Sequence, residues 1–194
     1  MDTRYSQQYD EDLGRHYSAF WGPRTTRHVW ARGSALPQEC SVLEYAPLHD
    51  IGCWVYATCG MTLHTEARAL ELFLLSPYQT EGHVELLTAI GHYHQTDARL
   101  GLGHTVSFGR PWFEGSRCSF GLVSLPYTFG PELEIACIQQ KHVRVLWLLP
   151  ITEEERAFKM ASGLEALEGL FEERQFNYLD PQRVSVVGTA RPSP

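Results

Sequence analysis

Two apolar runs in the middle of the chain have the length and composition of buried β-strands. They are CWVYATC at residues 53–59 and ALELFLL at residues 69–75. Successive side chains of a strand alternate between its two faces, and here both faces are largely apolar, which is typical of central strands covered on both sides. Glu71 is the exception, because it puts a carboxylate in the middle of the second run.

Helical spacing of apolar residues predicts helices at about 7–20 and 81–98. The apolar face of the first comprises Tyr9, Leu13, His16, Tyr17 and Phe20. A third helix is predicted after Thr152, because Thr152 and Glu155 have the spacing of a capping box. Its apolar positions are predicted to pack in the core, and they are Ala157, Met160, Ala161, Leu164, Leu167 and Phe171.

Shorter apolar runs predict further strands at 28–31, 41–46, 104–108, 119–125, 133–138 and 143–149, with a short edge strand at 184–187. Pro150 is predicted to end the strand at 143–149, because proline cannot donate to a sheet ladder. The order helix, strands, helix, strands, helix predicts an α+β fold, with helices packed on a mixed, mostly antiparallel sheet. We expect one domain over residues 1–187 and a flexible tail over 188–194.

The chain is acidic, with 23 acidic and 16 basic residues and a formal net charge of −7. Binding to nucleic acid without sequence preference requires Lys and Arg to displace counterions, so this balance argues against a nucleic-acid partner. It suits a basic protein partner through electrostatic steering, and it is also compatible with a role in solubility alone.

Five cysteines, an odd number, do not predict a disulfide framework. The polar N-terminus does not resemble a signal peptide, and the apolar runs are shorter than the roughly 20 residues that span a membrane. We therefore expect reduced thiols and a cytoplasmic protein that does not insert into a membrane.

The sequence contains no arrangement typical of catalysis, of a metal site or of a cofactor site. His92 and His94 are the closest histidine pair, but on a helix their side chains point about 200° apart. Cys59 precedes Gly60 near a turn, yet its position in an apolar strand favours a buried, inert thiol. We expect no metal, no cofactor and no enzymatic activity, and an enzyme of unrecognised type is the least favoured hypothesis.

Several blocks of the chain occur in the order found in the suppressor of fused domain. The run WVYATCGMT at 54–62 precedes the strand that contains Glu71, and VELL at 84–87, GHTVSF at 103–108, FGLV at 120–123 and VRVLWLLPITEEE at 143–155 follow. The chain resembles this family from about Tyr45 to Phe171. The resemblance implies an α/β sandwich that binds proteins.

The same resemblance implies two candidate partner-binding residues. In animal relatives the domain grips an extended peptide of the Gli transcription factors between two lobes, and Tyr56 and Glu71 match positions near that peptide. Each has a structural alternative: Tyr56 as a core aromatic residue, and Glu71 as an acid at the sheet surface or paired with Arg68 or Arg144.

We expect a protein without the second lobe of the animal proteins, and the glycine-rich insertion of those proteins is missing between Met61 and Ala69. In size the chain resembles bacterial stand-alone members. Many of these resemble immunity proteins, which bind and neutralise polymorphic toxins. An immunity-type inhibitor is therefore the first functional hypothesis. A regulatory adaptor that binds an extended peptide by strand addition is the alternative.

Overall fold

The structure, a computed structural model, describes residues 3–29, 40–48, 52–62, 69–139 and 141–188, with side chains from residue 7 onward. These residues belong to two compact units. The first comprises Met1–Leu102 and Val123–Leu148, and the second comprises Gly103–Leu122 and Leu149–Pro194. Most of the predicted tail lies outside the described residues, and the single domain over 1–187 stays a prediction.

The first helix, α1, extends from Thr3 to Trp21 and confirms the helix predicted at 7–20. Tyr9, Leu13 and Tyr17 are buried as expected. At the C-terminal end of α1 the buried face differs slightly from the predicted one. His16 and Phe20 are half-buried there, whereas Trp21 is only 1% exposed.

Four antiparallel strands follow in the first unit: β1 (Thr26–Val29), β2 (Ser41–Tyr45), β3 (Trp54–Cys59) and β4 (Ala69–Ser76). All of β2 and nearly all of β3 and β4 are buried, which confirms that the two apolar runs form central strands. Helix α2 (Glu81–Thr96) contacts β2 and β3, and α1 contacts β3.

The second half contains β5 (Thr105–Ser107), β6 (Cys118–Ser124), a short helix α3 (Pro131–Glu134), β7 (Ile135–Ile138) and β8 (Lys141–Thr152). Strand β5 pairs antiparallel with β6, and β7 forms the predicted hairpin with β8. The parallel pair is β4 with β8, in register from Ala69↔Val143 to Phe73↔Trp147. The predicted α+β fold with a mostly antiparallel sheet is confirmed.

The prediction that Pro150 ends its strand is wrong, because β8 continues to Thr152. The Pro150 carbonyl accepts a 2.9 Å hydrogen bond from the Arg183 guanidinium, so a side chain bonds this part of the strand. The predicted edge strand at 184–187 is also wrong. Within the described range 141–188 these residues are not a strand, and the Val186 N–H bonds instead to the carboxylate of Glu155.

The capping box after Thr152 is confirmed at the start of α4 (Glu153–Ser162). Gly163, with φ of +94°, then ends this helix, and α5 (Leu164–Arg174) begins. The single apolar stripe predicted across both helices is therefore wrong in part. Leu167 and Phe171 are buried, whereas Ala157, Met160 and Ala161 are exposed.

Candidate functional site

Strands β3 and β4 separate at one end, and side chains replace the backbone ladder there. Their pairing runs from Trp54↔Ser76 to Ala57↔Phe73. Beyond that pair the Thr58 hydroxyl accepts a 2.9 Å hydrogen bond from the backbone N–H of Leu72. The chain then turns at Gly60, whose φ of +92° favours glycine. The separation frees backbone N–H groups in the interior, which must find other acceptors.

The Glu71 carboxylate supplies these acceptors. It receives the backbone N–H groups of Gly60 at 2.9 Å and Met61 at 3.1 Å, the Tyr9 hydroxyl at 2.8 Å and the Thr58 hydroxyl at 2.6 Å. Glu71 is 0% exposed. Burial raises the pKa of its carboxyl above the usual value of 4.5, and the four hydrogen bonds act in the opposite direction. This carboxylate fixes the turn after β3 and ties α1 to the sheet.

The predicted pairing of Glu71 with Arg144 is wrong. Arg144 instead donates at 2.7 Å to the carboxylate of Glu134, near the surface. Arg68, the other candidate partner, lies outside the described residues.

Asp10 lies beside the Glu71 hydrogen-bond network and contacts two arginines and a cysteine. Its carboxylate lies 3.1 Å from the Arg27 guanidinium and 3.6 Å from that of Arg24, and it accepts a 3.2 Å hydrogen bond from the Cys59 thiol. Burial raises the pKa of Cys59 well above its ordinary value. Cys59 is therefore a buried neutral thiol, as the sequence indicates, and lacks the thiolate that a nucleophile requires.

Tyr56 lies in a different environment, beside the start of α2. Its hydroxyl accepts a 2.8 Å hydrogen bond from the backbone N–H of Thr80, the N-cap residue of α2. Its ring packs edge-on against His83 at 5.5 Å between centroids. The side chain is 0% exposed, and burial raises its pKa to about 12. Tyr56 therefore positions the helix start, whereas Glu71 bonds to α1, so the structure does not bring the two candidate residues together.

Glu44 is a polar residue of this region that sequence reasoning missed. It lies opposite Tyr56 in the β2–β3 register and is 3% exposed. Its carboxylate accepts hydrogen bonds from His28 at 2.8 Å and from Gln79 at 2.7 Å. The available signal was an acid in the middle of the apolar run SVLEY, the same signal that drew attention to Glu71.

Two clefts with charged walls open on the first unit. One has a volume of about 350 Å³ and lies between β1 and the first two turns of α2, lined by Arg27, His28, Val29, Glu81, Val84 and Glu85. The other has a volume of about 440 Å³ and is lined by Asp10, Glu11, Gly14, Arg15, Ser18 and Arg24. Both present side chains of both signs, which is an arrangement suited to polar recognition of a macromolecule.

One member of the histidine pair, His94, holds the chain after the end of α2. The His94 ring accepts a 2.8 Å hydrogen bond at Nδ1 from the backbone N–H of Leu100, and burial lowers its pKa. In the part of the chain that the structure describes, three or more His, Cys, Asp or Glu side chains do not gather at one place where they could hold a metal ion. Over the same residues, none of the helices is both long and apolar enough to cross a membrane.

Comparison with known proteins places these features in a family. Residues 37–184 match the family model described as Suppressor of fused protein (SUFU). The fold is similar to the crystal structure of a SUFU homologue from Neisseria gonorrhoeae FA 1090, with a TM-score of 0.82, 34% sequence identity and coverage of 95% of this chain and 100% of that one. Among curated proteins, no sequence matches the chain.

Two more distant structures share the fold. A chain of the Sufu–Fu complex matches with a TM-score of 0.69 and 15% identity over 94% of this chain and 92% of that chain. Suppressor of Fused from Drosophila matches with a TM-score of 0.70 and 16% identity over 92% of this chain. The matched region is 51% of the Drosophila chain, so this chain spans about half of that protein's length.

Proposed function

This chain belongs to the suppressor of fused family, and we propose that it is a cytoplasmic immunity-type inhibitor that binds and neutralises a polymorphic toxin. The family is known for regulators that bind proteins rather than for enzymes, and the Sufu–Fu complex contains such a relative with its partner. The toxin is the protein partner in this proposal.

The observation that carries the proposal is the extent of the match to the Neisseria homologue. It covers 95% of this chain and the whole of the other, whereas the match to the Drosophila protein covers 51% of that chain. The sequence thus matches the whole of the Neisseria chain but about half of the Drosophila one, and the proposal follows the bacterial relative. An inhibitor can bind a toxin through one rigid, complementary surface and does not require a clamp of two lobes.

The buried acids support a binding role over a catalytic one. Glu71, Glu44 and Glu155 are between 0% and 3% exposed, and each holds neighbouring groups of the fold. A general acid or base must come within hydrogen-bond reach of a substrate proton. These carboxylates are engaged inside the protein, which leaves recognition to the surface.

In this proposal Tyr56 and Glu71 contribute to binding indirectly, because their side chains fix the backbone conformation of neighbouring segments. Glu71 fixes the turn at Gly60 and Met61, and Tyr56 fixes the N-terminus of α2 at Thr80. Both side chains are completely buried, so the proposal assigns them no direct contact with the partner.

Calorimetric titration of the purified chain with an inactivated toxin domain encoded beside its gene tests the proposal. We expect a one-to-one complex with a dissociation constant in the nanomolar range, as is usual for specific interfaces of about 1,600 Å². A Tyr56→Phe variant serves as the control for positioning, because it keeps the ring and alters only the bond to Thr80. Absence of binding to every toxin domain encoded there would contradict the proposal.

Strand addition is the second candidate function, favoured by the position of β1. This strand stands at one end of the described strand order, next to the 350 Å³ cleft, and Val29 in it is 54% exposed. An edge strand presents backbone groups that an extended peptide can pair with. Micromolar binding of short extended peptides that is lost on replacing Val29 with proline would favour this function over toxin neutralisation.

A further inference from the structure

Helix α4 exposes the apolar side chains that its sequence predicts to be buried, and it buries a charged one. Glu155 is its one buried side chain among the described residues, and it is 0% exposed. Ala157, Met160 and Ala161, which have the i, i+3, i+4 spacing of a packing stripe, are exposed, and Met160 is 66% exposed. At 100° per residue, Glu155 lies about 170° around the helix from the centre of these three side chains. We call the three together the Met160 face.

A buried ion pair holds the helix in this orientation. The Arg183 guanidinium donates to both carboxylate oxygens of Glu155, at 2.6 and 2.7 Å, and these side chains are 6% and 0% exposed. The same carboxylate also accepts the backbone N–H groups of Thr152 at 2.9 Å and Val186 at 3.0 Å. Turning α4 to bury the Met160 face would leave a buried guanidinium without its carboxylate, which is strongly unfavourable.

Two exposed acidic side chains lie on the same side of α4 as the Met160 face. Residues 153–174 contain seven acidic and three basic side chains, and one of these acids, Glu155, is buried and paired with Arg183. Glu153 and Glu154 are exposed and lie within about 70° of the centre of the face. Arg156, one of the three basic residues, lies over the ring of Phe120 at 4.9 Å.

We propose that the Met160 face docks a cationic amphipathic segment of a partner protein, in which Lys or Arg side chains flank an apolar stripe. The exposed methionine offers a flexible, polarizable apolar contact of the kind found at surfaces that bind amphipathic helices. The exposed carboxylates of Glu153 and Glu154 are complementary to the cationic flanks and select against an acidic partner. This inference rests on the proposed function, because it names the surface through which a toxin is held.

The three methionines of the chain allow a direct test by NMR. With ¹³C-labelled methionine methyl groups, the protein is titrated with a synthetic helical peptide whose leucines form one face and whose lysines form the other. We expect the Met160 methyl resonance to shift with saturation while that of Met61, which is 0% exposed, stays in place. A peptide of the same pattern with glutamate in place of lysine should leave both resonances unchanged.

Charge variants provide the matched control. Glu153→Lys with Glu154→Lys should weaken binding of the lysine peptide by about tenfold or more, because local charge complementarity is reversed. Glu114→Lys with Glu132→Lys changes the net charge equally at exposed positions outside α4 and outside both clefts, and should weaken it by less than about threefold. Equal weakening by the two pairs, or a shift of Met61 in place of Met160, would overturn the proposal. A Met160 shift that grows with protein concentration alone would assign the face to a second copy and overturn it as well.

The Met160→Lys variant separates this inference from the proposed function. If wild type and Met160→Lys bind and neutralise the same toxin equally, the docking surface is wrong and the proposed function stands. If Met160 responds to the lysine peptide while the chain neutralises no toxin, the surface stands and the proposed function is wrong.

Discussion

The hydroxyl of Tyr9 on α1 donates a 2.8 Å hydrogen bond to the carboxylate of Glu71 on β4, and both groups are buried. The helix that covers one face of the sheet is thus tied to the acid that holds the end of β3. The cluster contains a neutral phenol and an acid whose pKa burial raises, so its stability depends on protonation.

The free energy of unfolding should reveal the raised pKa of Glu71. In the pH range between the unfolded value near 4.5 and the higher folded value, the folded state binds more protons than the unfolded state, so stability falls as the pH rises. Glu71→Gln removes this dependence. The stability difference between wild type and the variant should therefore grow in favour of wild type as the pH is lowered from 7 towards 4.5. Denaturant unfolding at several pH values measures it, and a difference that shrinks on acidification contradicts the raised pKa.

Leu72→Ala should lower the free energy of unfolding by about 2–5 kcal/mol, as deletions of buried leucine do. Leu72 is 0% exposed in the central strand β4. Met160→Ala is the control, because Met160 is 66% exposed and its truncation should cost less than about 0.5 kcal/mol. Urea titrations of both variants provide the comparison, and a cost for Leu72→Ala as small as that of the control is incompatible with the described core.

Arg183→Met should destabilise the protein by about 3–5 kcal/mol, because it leaves the Glu155 carboxylate buried without its cation. The surface pair of Arg144 and Glu134 offers a matched control. Arg144 is 41% exposed there, and Arg144→Met should cost less than about 1 kcal/mol. Thermal or urea unfolding of the two variants distinguishes the pairs. Equal costs would show that the Glu155 pair does not anchor α4.

The sequence predicted the elements better than their orientation. The spacing of Thr152 and Glu155 correctly indicated a capping box, because such a motif depends on residues three apart. The apolar stripe after it predicts core packing, but periodicity defines a face of the helix and does not say which neighbour covers that face. What fixes the rotation of α4 is Arg183, 28 residues after Glu155, and no local pattern reports that contact.

The candidate site was predictable only in part, for a similar reason. An acid in an apolar run singled out Glu71, but its donors at Gly60 and Met61 depend on where the β3–β4 ladder ends. The same signal was present at Glu44 and was missed, since its partner His28 is in a neighbouring strand 16 residues earlier.

Salt should slow association with the partner more than it speeds dissociation. The chain carries a net charge of −7, and steering by charges acts over distances that salt screens, with a Debye length of about 8 Å at 0.15 M ionic strength. Stopped-flow or interferometry measurements test this between about 0.05 and 0.5 M salt. These two limits lie roughly threefold below and above physiological ionic strength. An association rate that ignores salt would contradict a role for the acidic surface.

Growth rescue is the most direct test of the central claim that the chain neutralises a toxin. Bacteria that express the toxin encoded beside its gene are induced to produce this chain, either as wild type or as the destabilised Leu72→Ala variant. We predict that wild type restores growth and forms a stable complex with the toxin, and that Leu72→Ala rescues less in proportion to its folded fraction. Persistent growth arrest in cells that contain folded wild-type protein in excess over the toxin would contradict the claim.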